Sequence, residues 1–205
     1  MAQSSLPRWR ALIAGHFGFA AMVKSRERQA PLWALMLATV WLDIVFVPLL
    51  LAGIETLEPV AGTRGGYGAN IIHADYTHSL LGAAVLSGIF GIAAAARWSR
   101  RTGIVLGAVA LSHWLLDLPV HRADMPLLPA NAGNLPKLGF GLWRFPPIAV
   151  GMELALVVAG ALLYRGAARF IASNDSQRRL GTTISLMIAL GGAALLALDL
   201  TGILG

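Results

Sequence analysis

Long uninterrupted apolar runs, separated by short polar connectors, dominate this chain. Five stretches, residues 31–54, 79–96, 102–120, 146–164 and 180–204, come close to or reach the roughly 20 apolar residues that cross a bilayer as a helix. Hydrocarbon offers open backbone groups no hydrogen-bond partner, so each stretch is predicted to be helical. A sixth apolar stretch, residues 11–23, is shorter and carries His16 between Gly15 and Gly18. It is predicted to be a short re-entrant or interfacial helix. Arg8 and Arg10 before it give it the opening of a signal peptide, but no A-x-A cleavage pattern follows, and Lys24, Arg26 and Arg28 come next. The expected fold is therefore all-α: a polytopic transmembrane helical bundle of five spanning helices plus that short amino-terminal helix. No linker or repeat divides the chain, so residues 1–205 read as a single integral membrane domain.

Composition agrees with the pattern: 57% of the 205 residues are hydrophobic and 13% are charged. The formal net charge of +6 raises the question of nucleic acid. The basic residues are instead dispersed over separate connectors, as the positive-inside rule for membrane proteins requires, so no nucleic-acid partner is expected. With residues 11–23 not crossing, Arg8, Arg10, Lys24, Arg26, Arg28, Arg97, Arg100, Arg101, Arg165, Arg169, Arg178 and Arg179 share one side, leaving Arg64, Arg122, Lys137 and Arg144 on the other. The first side is expected to be cytoplasmic. That places the amino terminus inside and the two long Gly- and Pro-rich loops, residues 55–78 and 121–145, outside.

Four acids interrupt the apolar runs: Asp43, Asp117, Glu153 and Asp199. None of the five runs contains a Lys or Arg to pair with them, and a charged side chain at the bilayer centre costs about 2.5–3.5 kcal/mol on insertion scales. Such acids are either protonated, exposed to a water-filled cavity, or neutralised by something outside the chain, which bound cations would do directly. All five histidines fall in three patches: Gly15-His16, His73 to His78, and His113 to His121. His113 and Asp117 stand four residues apart and project from one helix face. Pro119 then interrupts the helix and keeps His121 near the same stripe. Asp75 or Thr77 is placed to cap the helix that follows, which puts His78 in its first turn and keeps the imidazole neutral, as a metal ligand must be. The chain has no cysteine, so a zinc site here must use nitrogen and oxygen donors. The metal-site core is expected within about residues 11–160.

These patches resemble the YdjM-like family of bacterial inner-membrane metal-dependent hydrolases. The likeness runs from about residue 15 to 150 and rests on Gly15-His16, Leu42-Asp43, His73 through Thr77-His78-Ser79, Ser112-His113 with Asp117, and Trp143-Arg144-Phe145-Pro146. The chain departs from the family where a second Asp and a His usually follow the first motif Asp, here Val45 and Phe46. It departs again where His-Arg-Gly is usual, here His73-Ala74-Asp75, so one ligand position is either lost or supplied by Asp75. The family is in turn similar to zinc-dependent phospholipases C and single-strand-specific zinc nucleases, which implies phosphoester cleavage.

The resulting expectation is a membrane-embedded hydrolase acting on a phospholipid or lipid-linked phosphoester near the periplasmic face of the bacterial inner membrane. One or more divalent ions, most simply zinc, would be held by a set drawn from His16, Asp43, His73, His78, His113 and Asp117, with His121 as an additional ligand, and would activate a water. Asp75 and Glu153 are the candidate general bases, and Arg64 and Arg122 the candidate head-group contacts. A metal-ion or proton transporter using the same His/Asp cluster is the competing class.

Overall fold

A computed structural model describes residues 13–60 and 69–201. Seven helices and one hairpin follow in the order α1 (Ala14–Arg26), α2 (Leu32–Thr39), α3 (Trp41–Leu51), β1 (Thr56–Pro59), β2 (Asn70–His73), α4 (Leu80–Arg97), α5 (Arg100–Val120), α6 (Pro146–Ile171) and α7 (Asp175–Thr201). Four of the helices, α4 to α7, are long and apolar enough to cross a membrane, and the count becomes five if α2 and α3 together form one bent span. The capacity to span a bilayer is thus present in four or five segments, and the stretch expected to span over residues 31–54 is the bent pair.

That stretch breaks at Val40, which leaves helical geometry (φ −115°, ψ 15°), and the two halves meet at 46°. The break has its cause in a long-range hydrogen bond. The Thr39 carbonyl is taken by the imidazole of His113 at 2.7 Å instead of by a helical N–H one turn on, and such an insertion into the ladder is a recognised source of kinks. The kink therefore belongs to the polar interior.

Start signals elsewhere match their residues. Ser79 and Ser99 cap α4 and α5 by accepting from the backbone N–H groups of Gly82 (3.0 Å) and Thr102 (3.1 Å), so the cap of α4 is Ser79 and not Asp75 or Thr77. His78 consequently lies just ahead of the helix. Pro146 and Pro147 open α6, where their missing N–H groups are not needed.

The short amino-terminal helix is real, but it is neither amphipathic nor laid on a surface. Ala14, Gly15, His16, Gly18, Ala20 and Ala21 are buried, and thirteen residues span about 20 Å, less than the roughly 30 Å hydrocarbon core. Glycines allow this depth. A Cβ on Gly18 would lie 2.4 Å from the Leu156 carbonyl oxygen, and one on Gly160 would lie 2.1 Å from the Gly18 carbonyl oxygen, so α1 and α6 touch backbone to backbone.

The all-α expectation also needs correction, because residues 56–59 and 70–73 pair as an antiparallel two-stranded sheet with Thr56 opposite His73. Leu57 and Ile72 share one face and pack on Phe46, Leu50 and Ala74. The loop after α5 folds back to meet the start of α4, where Leu80 and Leu81 donate to the carbonyls of Pro126 (3.0 Å) and Leu127 (3.1 Å). At its far end Gly139 (φ +136°) presses on the Arg122 backbone, where a Cβ would sit 1.8 Å from the Arg122 carbonyl oxygen; no other residue fits.

Candidate metal centre

Five helices' worth of chain brings four histidines and two aspartates to one buried point. His16 comes from α1, Asp43 from the first turn of α3, His78 from the residue pair ahead of α4, His113 and Asp117 from α5, and His121 from the end of α5. The Nε2 atoms of His78 and His113 face each other at 3.2 Å. Each lies 3.5 Å from Asp43 Oδ1, and they lie 3.7 and 3.1 Å from Asp117 Oδ2. His121 Nε2 approaches Asp117 Oδ2 at 3.7 Å, and His16 Nε2 approaches Asp117 Oδ1 at 3.4 Å. All but Asp43 are at most 4% exposed.

The opposite edge of three of these rings decides what their Nε2 atoms carry. His113 Nδ1 points at the Thr39 carbonyl, which only accepts, so that nitrogen bears the proton. His121 Nδ1 meets Asp124 Oδ1 at 2.9 Å, and Asp124 is itself oriented by the Ile72 N–H at 3.2 Å. His78 Nδ1 meets Thr77 Oγ1 at 2.9 Å. The Thr77 hydroxyl has a single proton, and it goes to the buried Glu55 carboxylate (2.9 and 3.1 Å), which also accepts from the N–H groups of Tyr76 and Thr77. Thr77 must therefore accept from His78. In all three rings the neutral form carries its proton on Nδ1, and the Nε2 lone pair is aimed at the cluster.

Bare lone pairs and carboxylates packed this closely repel one another. Asp43 Oδ2 is buried without a hydrogen-bond partner, and every ion-pair partner of Asp43 and Asp117 among the described residues is a histidine. The donor set fits divalent cations: nitrogen and carboxylate oxygen ligands with their outer edges fixed by carbonyl, hydroxyl and carboxylate acceptors are the arrangement typical of metal-binding histidines. Two ligand triads satisfy the distances, His16/His113/Asp117 and Asp43/His78/His113, and they share His113. At His121, which lies beyond the end of α5, burial alone would lower the imidazole. The Asp124 hydrogen bond and the Asp117 charge outweigh that and hold it above the ordinary histidine range.

Of the residues singled out in the sequence, His16, Asp43, His78, His113, Asp117 and His121 are brought together. His73 is not. Its neighbour Ile72 faces the core, and in a strand the next side chain must face the other way. His73 thus points outward and pairs with the exposed Glu58 at 3.2 Å. Asp75 is also turned away, held by Lys137 at 2.7 Å, where it ties the turn before α4 to the loop after α5. Glu153 stands beside the cluster without joining either triad: its Oε2 accepts from the Gly15 N–H at 3.1 Å, one residue before His16. Arg122 follows His121 in the loop, and Arg64 lies outside the described residues.

Three contributors escaped the sequence reading, Thr39, Glu55 and Asp124, and Thr77 was expected only as a helix cap, not as the partner of His78. Of the three, only Asp124 carried a local signal, three residues after His121 in a turn. Comparison with family models, with curated proteins and with solved structures finds no match for this chain.

Proposed function

We propose that this protein is a membrane-embedded, metal-dependent hydrolase whose substrate is a phosphoester carried by a lipid. The observation that supports the reading best is the set of imidazoles locked on their outer edges so that unprotonated Nε2 atoms converge with two carboxylates at one buried point. His78, His113 and Asp43 would hold one divalent ion, most simply zinc, and His16, Asp117 and the shared His113 a second, with His121 adjoining. Bound there, such ions supply Lewis acidity toward a phosphoryl oxygen and toward water.

The chain's own residues do the rest. Thr39, the Thr77–Glu55 pair and Asp124 set the tautomers, and Glu153 steadies the first turn of α1 and with it His16. Asp43, the least buried member at 13% side-chain exposure, marks the side from which a substrate reaches the cluster. Asp75 and His73 have no part in this reading.

A transporter is the second reading, because buried acids and histidines also mark ion pathways. The gathering of His16, Asp43, His78, His113, Asp117 and His121 into one compact buried cluster, the arrangement a hydrolytic metal site needs, favours hydrolysis. Metal analysis of the purified chain, followed by chelator-sensitive cleavage of phospholipids and chromogenic phosphodiesters, tests the proposal. Stoichiometric zinc with cleavage that EDTA abolishes supports it. Ion flux into proteoliposomes with no cleavage would replace it by transport.

A further inference from the structure

On the outer face of the bundle, away from the histidines, α4 and α5 enclose a groove of about 430 Å³, within the size range of small-molecule sites. Its floor is made of small residues because the two helices touch: a Cβ on Gly103 would lie 2.5 Å from the Gly91 carbonyl oxygen, and Gly91 and Gly107 are nearly as close to the facing backbone. Those glycines are committed to α4–α5 packing. Gly88 is different, since nothing lies within 4 Å of where its Cβ would be, and it opens onto the groove. Ser87, 3% exposed, also lines it, and the Ser87 hydroxyl has no hydrogen-bond partner.

One end is marked by charge and aromatic rings. Arg100 lines the groove, Arg97 lies over Trp98 at 5.6 Å, and Trp98 packs on the exposed Trp33 with ring centroids 5.7 Å apart. Indoles and basic side chains at one level are the signature of the membrane–water interface. From Ala84 to Ala95 the groove follows α4 for about 17 Å, close to the depth of one leaflet, roughly half of a 30 Å core.

We infer that this groove binds one anionic phospholipid, with its phosphate and glycerol at the Arg100 end and an acyl chain running past Ser87 and along Gly88. The lipid belongs to the leaflet bordering the basic end of the bundle. His113 lies thirteen residues along α5 from Arg100, about 20 Å, so this site is separate from the metal cluster and stands whether or not the protein is a hydrolase. A second copy of the chain fits the groove less well. A helix is about 10–12 Å across with its side chains, and the glycines that would admit one are already occupied by the α4–α5 contact.

Native mass spectrometry of the delipidated full-length chain in detergent, titrated with phosphatidylglycerol and separately with phosphatidylcholine, tests the inference. One bound phosphatidylglycerol per chain is expected, with at least about tenfold preference over phosphatidylcholine, equivalent to 1.4 kcal/mol. Gly88→Leu, whose Cβ meets no protein atom within 4 Å and whose side chain enters the groove, should cut binding of both lipids about tenfold. Arg100→Gln, an exposed change, should remove the preference while leaving the weaker binding, and an unshifted melting temperature in detergent establishes that each variant is folded. Equal affinity for the two lipids in the parent chain overturns the inference, as does full phosphatidylglycerol binding by a folded Gly88→Leu. A dimer that Gly88→Leu dissociates, with no lipid adduct, overturns it in favour of a second copy.

Discussion

Thr77→Val is the most informative single change to the candidate metal centre, because it keeps shape and removes one hydroxyl that lies outside the ligand set. Thr77 Oγ1 accepts from His78 Nδ1 at 2.9 Å and donates to Glu55 at 2.9 Å. Thr77 is 1% exposed and Glu55 fully buried, so no water replaces either bond. Leaving a buried donor unsatisfied costs about 1–3 kcal/mol. Glu55 keeps its bonds from the N–H groups of Tyr76 and Thr77, which limits the loss on that side and should leave the fold intact. The imidazole of His78 is then free to move its proton to Nε2, the atom aimed at the cluster, where it blocks metal coordination. Losing a hydrogen bond that orients a metal-binding histidine typically weakens metal binding by about 10–100-fold. Zinc affinity measured by competition with a chromogenic chelator, on parent and variant melted in the same detergent, gives the number. An affinity within twofold of the parent, in a folded variant, would refute the claim that Thr77 sets the His78 tautomer.

Other outcomes follow from the same geometry. His113→Ala should lose more metal than His16→Ala or His78→Ala, because His113 alone belongs to both triads; metal content by mass spectrometry of the three purified variants decides. His73→Ala should leave metal content unchanged, since His73 pairs with exposed Glu58 on the outer face of the hairpin; a loss of zinc there would return His73 to the ligand set. Gly160→Val should destabilise the protein by about 1–3 kcal/mol or prevent its folding, as overpacking does, because a Cβ at that position overlaps the Gly18 backbone. Glu27 is held below the usual glutamate range by the Gln29 N–H, with Arg101 assisting against the effect of burial. A lowered carboxylate stabilises the fold above its unfolded pKa and loses that contribution as pH falls through the folded one. Glu27→Gln should therefore cost stability at pH 7, about 1 kcal/mol or less because Arg101 is 69% exposed and screened. The gap to the parent should close below about pH 4, the ordinary glutamate range, as read from melting temperatures across pH.

The long apolar runs carried the helices of the fold, because period and length are local properties of a sequence. The spacing of His113 and Asp117, one turn apart, likewise put both on one helix face before any tertiary contact was considered; the break expected at Pro119 does not occur, since α5 runs through it and the His121 N–H still bonds the Asp117 carbonyl at 2.8 Å, which keeps His121 on the same stripe. The bend at Val40 was not legible. Its cause is a hydrogen bond from His113, 74 residues away, and nothing in the run from 31 to 54 signals it. The hairpin was hidden for a related reason: four-residue strands separated by a Gly-rich stretch give little alternation to detect, and the outward turn of His73 follows only once Ile72 is known to face Phe46 and Leu50. Glu55 looked like the first residue of an outer loop, yet it is fully buried. Its role depends on Thr77, whose hydroxyl it receives across 22 positions of sequence.

A metal centre requires the Nε2 atoms of His78 and His113 to point at cations and not at one another. Anomalous diffraction from zinc-loaded crystals, recorded on both sides of the zinc absorption edge, addresses it directly. A peak bounded by Asp43, His78 and His113, with a second beside His16 and Asp117 if both triads fill, is the predicted result. No edge-dependent density at that point, or density only at His73 and Glu58 on the hairpin, would contradict it.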